Sequence, residues 1–232
     1  AILTMYLGGY PQNVVEFYNI KKKYKFYLIE DACHALGASY NFNNKKFYIG
    51  SCKHADISAF SFHPLKSITT GEGGAITTNN KKLFERMAKF RSHGIDRSRN
   101  HWKYDVIHNG FNYRLSDINC ALGYSQLKNI KNFLYQRKKI FNFYKKNLSN
   151  FKECILMPSW KESIMPSYHL FIVKFNLKKM RCEKNYIFKK MLQNRIFLQQ
   201  HYIPIFNFKK IYNKKINKTF FQGSLDYASN SF

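Results

Sequence analysis

The chain has 232 residues, with 39 Lys plus Arg against 13 Asp plus Glu, a formal net charge of +26 and 45% apolar content. Its 22 Phe and 17 Tyr are ample for a packed core, which excludes a disordered basic tail. No apolar run approaches the ~20 residues that cross a bilayer, and no short apolar stretch with a small-residue cleavage site opens the chain, so a soluble cytoplasmic protein is expected.

The elements follow in order. Residues 2–7 read as a buried strand, 8–11 as a Gly-Gly-Tyr-Pro turn, and 12–24 as a helix with Val14, Phe17, Tyr18 and Lys21 along one side. Residues 26–29 form a second strand running into Glu30 and Asp31, and strand, helix, strand with short connections is the pattern of a parallel sheet with crossover helices. Further strands are expected at 57–62 and 75–78, then a helix at 81–93 closed by Gly94. From Ser116, a good N-cap, apolar spacing marks a long helical region to Leu148, bent near Lys128. A Pro-bearing connector covers 157–166, followed by a strand at 168–175, a helix at 183–195 and an extended stretch at 196–205. The expected division is an α/β portion over 1–150 and a smaller α+β portion over 151–232.

Five cysteines, Cys33, Cys52, Cys120, Cys154 and Cys182, include no CxxC pair, so reduced thiols are expected rather than a disulfide framework. Cys33, His34, Cys52 and His54 can be drawn as a metal quartet, but adjacent ligands make poor tetrahedral geometry and no metal is expected. The lysines are scattered, and their densest runs, 21–23, 178–184 and 209–218, are short and interrupted. They read as solvated helix faces, so nucleic acid is not the expected partner.

Asp31 stands where a parallel strand ends, the edge at which open α/β sheets bind ligands, although an acid there also serves as an N-cap. Lys66 follows a strand and precedes the turn Gly71-Glu72-Gly73-Gly74, a setting suited to an amine nucleophile; alone, a surface lysine explains it as well. The combination is more specific. A strand ending in an acid, a second strand, a Ser-x-x-x-x-Lys step from Ser61 and a glycine turn make the arrangement that holds pyridoxal 5′-phosphate, with acid on the pyridinium nitrogen and lysine on the aldehyde.

Residues 29–37 (IEDACHALG), 61–75 (SFHPLKSITTGEGGA) and 110–123 (GFNYRLSDINCALG), the last followed by Gln126-Leu127, resemble the core of the DegT/DnrJ/EryC1/StrS sugar aminotransferases. Trp102-x-Tyr104, Tyr168-His169-Leu170 and residues 201–205 resemble the branch that makes UDP-4-amino-4,6-dideoxy-N-acetyl-β-L-altrosamine for pseudaminic acid. The resemblance implies a fold type I transferase with a mostly parallel sheet in its large domain, and it implies roles for individual residues. Lys66 is the Schiff-base lysine, Asp31 the pyridinium partner, His34 a neighbour of the cofactor ring and Ser61 a phosphate ligand. Asn112 reaches the phosphate of the neighbouring subunit's cofactor, implying a homodimer, and His201, Tyr113 and Arg114 approach the sugar nucleotide. For His63, Glu72, Tyr113 and Arg114, local scaffolding is an equal alternative.

The implied reaction takes the amino group of L-glutamate, releases 2-oxoglutarate, and delivers the group to C4 of a UDP-linked 4-keto-6-deoxy-N-acetylhexosamine. Other nucleotide-sugar 4-aminotransferases of the perosamine type share these motifs, and a non-catalytic basic binding module and a decayed relative are the other readings. The family's phosphate-binding first third is expected to precede Ala1 and a Ser-Leu-Pro stretch to follow Phe232, so the 232 residues alone are expected to be catalytically incomplete.

Overall fold

The computed structural model describes residues 1–96, 102–208 and 218–232. Strand β1 (Ile2–Met5), helix α1 (Val14–Tyr24) and strand β2 (Leu28–Asp31) form a crossover unit whose strands pair in parallel, Ile2 against Leu28 through Met5 against Asp31. Helix α1 buries Val14, half-buries Phe17, Tyr18 and Lys21, and ends in Lys21, Lys22 and Lys23, whose charges suit the negative end of the helix dipole. The first strand is shorter than expected, because residues 7–9 wind into a 3₁₀ turn with Gly8 and Gly9 at φ 71° and 89°. At Gly9 no side chain fits, since a Cβ would lie 2.0 Å from Ser167 Oγ and 2.7 Å from the His34 carbonyl.

Strand β3 (Ser39–Phe42) and strand β4 (Lys45–Tyr48) form a hairpin absent from the sequence reading. Asn43 and Asn44 both take positive φ, 49° and 58°, the pattern of a two-residue hairpin turn. Strand β5 (Ile57–Ser61) lies parallel to β2, and strand β6 (Gly74–Thr77) runs antiparallel beside it, giving the order β1-β2-β5-β6. Helix α2 (Lys81–Arg91) is capped by Asn80, whose side chain accepts the Leu83 N–H, and Gly94 closes it by donating to the Lys89 carbonyl. Strands β7 (Ile95–Asp96) and β8 (Asp105–Val106) then pair. The expected bend in the long helical region is a break at Asn129 between α3 (Asp117–Lys128), capped by Ser116, and α4 (Ile130–Leu148).

Strand β9 (Ile155–Leu156) pairs with β11 (Lys174–Phe175), while β10 (Ile164–Met165) joins β3. The strand expected at 168–175 is therefore confined to its last two residues. Tyr168 sits at φ 54°, and Ser167, His169 and Leu170 donate their N–H groups to the Gly8-Gly9 turn instead of a ladder. Beyond come α5 (Leu177–Met180), α6 (Lys184–Gln193) and α7 (Gln222–Asn230). The stretch 196–204 joins no strand.

The chain divides into two compact units, residues 1–140 with 160–170, and residues 141–159 with 171–232. In the first, Tyr6, Val14, Ala32, Ala35, Ala38, Tyr40, Ile49, Phe60 and Ile164 form the core. Glu30 lies inside it, 3% exposed, accepting hydrogen bonds from the Tyr6 hydroxyl at 2.7 Å and from the Ser58 hydroxyl. In the second, Phe175 and Phe188 pack on Phe232, and Lys184 donates to the Ala228 and Ser231 carbonyls at the end of α7. Among the described residues no helix is long and apolar enough to cross a membrane.

Candidate active site

The carboxyl ends of β2 and β5 bring Asp31, Ser61 and the loop that carries Lys66 side by side. Asp31 pairs in register with Ala59, so the loop leaving Ser61 rises beside it. Asp31 Oδ1 accepts the Cys33 N–H at 3.1 Å, an Asx turn that fixes the carboxylate at the strand end. Burial pushes the Cys33 thiol up to about 11, with Asp31 adding to the rise through a hydrogen bond and its charge and Lys66 opposing it. One thiol thus senses an acid on β2 and an amine on the following loop, which places all three in one neighbourhood. With the cofactor absent, iodoacetamide at pH 8 is expected to alkylate Cys33 on the order of a hundredfold more slowly than free cysteine, because little thiolate is present. Peptide mass mapping against time checks this, and a rate equal to free cysteine would show an open thiol.

Residues 62–73 fold back on themselves around Lys66. The Lys66 N–H donates to the His63 carbonyl at 2.9 Å, the Thr70 N–H to the Phe62 carbonyl at 3.0 Å, and the Phe62 N–H to the Gly73 carbonyl at 2.8 Å. Ser61 Oγ accepts the His63 N–H at 3.4 Å, and His63 Nδ1 accepts the Leu65 N–H at 3.2 Å. His63 and Glu72 thus have local scaffolding ties, facing each other at 3.9 Å. Gly73 stands at φ 151°, where a Cβ would fall 2.5 Å from Thr70 Oγ1 and 2.9 Å from Leu115, so the turn closes only around glycine. Asn119, at the start of α3, donates its amide to the Thr70 carbonyl and braces the turn.

His34 is buried, and its Nδ1 accepts the Gly8 N–H at 3.2 Å, which leaves the proton of the neutral ring on Nε2. Its ring lies 4.3 Å from that of His169, whose segment is tied to the glycine turn. Ser167 Oγ donates to the His34 carbonyl at 2.6 Å. Arg137 on α4 donates to the carbonyls of His169 and Lys66 at 3.3 and 3.4 Å. Sequence reasoning missed Ser167 and Arg137 as parts of this neighbourhood and used His169 only as a branch marker. Nothing local distinguishes one arginine on a helix rich in lysine.

Asn112, Tyr113 and Arg114 are exposed and tied to the end of α2. Asn112 bridges to Ser92, Tyr113 donates its N–H to the Arg91 carbonyl, and the Tyr113 ring stacks on Phe111 at 5.1 Å. His201 belongs to the second unit, its ring edge-on to Tyr202 at 4.8 Å. Cys52 and His54 are engaged in the core, Cys52 with Ser58 and Thr77 and His54 with the Tyr40 hydroxyl at 2.6 Å. Among the described residues no group of three or more His, Cys, Asp or Glu side chains is placed to hold a metal ion. A cleft of about 300 Å³ bordered by Pro11, Val14, Tyr40, Phe42 and Lys161 includes none of the sequence-predicted site residues.

The donor set at the strand ends fits pyridoxal 5′-phosphate: a carboxylate for a ring nitrogen, an amine for an aldehyde, and a serine hydroxyl for a phosphate. The sequence matches the profile described as the DegT/DnrJ/EryC1/StrS aminotransferase family over residues 1–231. The chain belongs to this family. Among its relatives, the UDP-4-amino-4,6-dideoxy-N-acetyl-β-L-altrosamine transaminase of Campylobacter jejuni strain 81-176 is 41% identical over 210 residues, 90% of this chain and 53% of the relative. GDP-perosamine synthase of Escherichia coli O157:H7 is 33% identical over 90% of this chain and 55% of its own length. Helicobacter pylori PseC, an aminotransferase involved in the biosynthesis of pseudaminic acid, superposes with a TM-score of 0.84 at 30% identity, covering 100% of this chain and 60% of that structure. The DegT/DnrJ/EryC1/StrS chain described here therefore has the fold type I architecture implied by its motifs, and it spans about half the length of the curated relatives it matches.

Proposed function

We propose that the full-length protein is a pyridoxal 5′-phosphate-dependent aminotransferase that moves the amino group of L-glutamate to C4 of a UDP-4-keto-6-deoxy-N-acetylhexosamine, in the cytoplasm, on the way to pseudaminic acid. The observation that carries this reading is the placement of Asp31 at the end of β2, beside Ser61 at the end of the adjacent β5 and the loop that carries Lys66, on the carboxyl edge of the sheet. The 41% identity to the Campylobacter transaminase favours the UDP-linked acceptor. The cofactor-binding portion is drawn as residues 1–150 and the smaller one as 151–232, with residues 160–170 of the latter packing in the first compact unit and 141–150 of the former in the second.

Bound pyridoxal 5′-phosphate supplies an electron sink that makes the proton on the amine-bearing carbon acidic. Asp31, whose Oδ1 accepts the Cys33 N–H, would pair with the ring nitrogen and keep a proton on it. Lys66 Nζ would hold the cofactor through its aldehyde, and its free amine would serve as the base that takes and returns the proton of the amine-bearing carbon. Ser61 would donate to the phosphate, and His34, its Nδ1 accepting the Gly8 N–H, would lie beside the ring. Asn112, exposed at the end of α2, reaches the cofactor phosphate of a second subunit, so the working form is a homodimer. His201, Tyr113 and Arg114 contact the sugar nucleotide.

The test incubates the full-length protein, loaded with pyridoxal 5′-phosphate, with glutamate and either the UDP-linked keto sugar or GDP-4-keto-6-deoxymannose, and follows aminated sugar by mass spectrometry. Amination of the UDP sugar is expected. Preference for the GDP sugar would establish the perosamine-type reading, which the 33% identity to the Escherichia coli synthase supports. No amination of either would overturn both.

A further inference from the structure

Arg137 lies on α4, far from the motifs in sequence, yet its guanidinium joins two backbone carbonyls of the candidate site. Nη2 donates to the Lys66 carbonyl at 3.4 Å and Nη1 to the His169 carbonyl at 3.3 Å. One turn earlier on the same helix, Leu134 packs so closely on Gly37 that a Cβ there would fall 2.5 Å from its Cδ1. Leu134 and Arg137, at i and i+3, therefore share the face of α4 turned to the site. The His169 segment is in turn fastened to the Gly8-Gly9 turn and lays its ring on His34.

We propose that Arg137 is a positioning residue for Lys66, its planar fork clamping the loop that carries the amine to the strap that carries His169. The inference rests on the reading of Lys66 as the cofactor lysine. A lysine side chain has four rotatable bonds, so the reach of Nζ is decided by where its backbone is held. Fixing the Lys66 carbonyl narrows the positions Nζ samples, and fixing the His169 carbonyl holds the ring that backs His34. The guanidinium reaches the two carbonyls from two different nitrogens of a rigid plane, whereas an ammonium, which can also bridge two carbonyls as Lys184 does, does so from a single rotating point. The half-buried guanidinium also has its pKa lowered by burial, so the clamp is held in a partly desolvated place.

The experiment uses the full-length protein and compares wild type with Arg137→Met, which keeps the stem, and Arg137→Lys, which keeps the charge. Four quantities are read: the dissociation constant of pyridoxal 5′-phosphate for the cofactor-free form, the pH midpoint of its visible band when bound to lysine, kcat and KM for glutamate, and the melting temperature of the cofactor-free form. For Arg137→Met we expect the dissociation constant to rise and kcat to fall, each about tenfold or more, with KM changed less than twofold and the pH midpoint displaced. Arg137→Lys is expected to recover part of the kcat and little of the pH midpoint. Unchanged cofactor affinity and pH midpoint in both variants would overturn the proposal, as would losses that merely track a fall in melting temperature. Lys66→Ala in the same series separates the two claims: if borohydride still fixes the cofactor to the protein there, the reading of Lys66 fails whatever Arg137 does.

Discussion

Replacing Lys66 with alanine in the full-length protein is expected to lower amino transfer by on the order of 10⁴-fold and to abolish the adduct that borohydride traps on the peptide containing residue 66. The loop should survive the change, because its hydrogen bonds at this position are made by the backbone: the N–H to the His63 carbonyl and the carbonyl from Arg137. The loss would then be chemical rather than structural. Lys66→Arg should be equally inactive, since a guanidinium keeps the charge but does not give up its proton to become a nucleophile or base. Turnover by either variant at the wild-type rate, with the protein folded, would remove Lys66 from the reaction.

The second large effect belongs to Glu30. Its carboxylate takes hydrogen bonds from Tyr6 on one side and Ser58 on the other, joining the ends and middle of β1, β2 and β5 inside the core. Burial raises its pKa, against the lowering effect of the hydrogen bonds from Ser58, Tyr6 and the Gly50 backbone. Glu30→Ala would strand two buried hydroxyls and open a cavity, and we expect it to destabilise the full-length protein by about 3 kcal/mol. Below the ordinary carboxylate range both the folded and unfolded chains hold the proton. As pH rises the unfolded chain releases it first, so stability falls until the pH passes the raised folded value, then levels off. Glu30→Gln, which titrates in neither state, should lack that decline at a cost of about 1 kcal/mol. Urea melts of wild type and Glu30→Gln from pH 4 to 8 check this; parallel pH dependence in the two would exclude Glu30 as its source.

What could be read before any coordinates follows physical range. The strand-helix-strand start, the Ser116 cap, the Gly94 stop and the placement of Asp31 and Ser61 at strand ends, with Lys66 on the loop that follows, depend on residues close together in the chain, where periodicity and turn chemistry speak directly. The β3–β4 hairpin was also within reach, since Asn43-Asn44 is a turn signal between two short alternating runs. The expected strand at 168–175 fails for a different reason. Its alternation is genuine, but Ser167, His169 and Leu170 find partners on Gly8 and Gly9, about 160 residues earlier, and a tertiary contact overrides the local pattern. Arg137 and the Tyr6-Glu30-Ser58 network are invisible for the same cause: each links segments whose proximity exists only after the sheet has formed.

Glu30 and Asp31 are neighbours in β2, and a strand turns consecutive side chains to opposite sides. One acid is sealed in the interior while the next stands at the open edge. Sliding β2 by a single residue would turn each to the other side, stranding a solvated carboxylate in the hydrophobic layer and removing the acid from the open edge. A misthreaded molecule would thus be unstable and inert at once, so the adjacent acids act as a checksum: the alignment that permits chemistry is the one that permits survival of the fold.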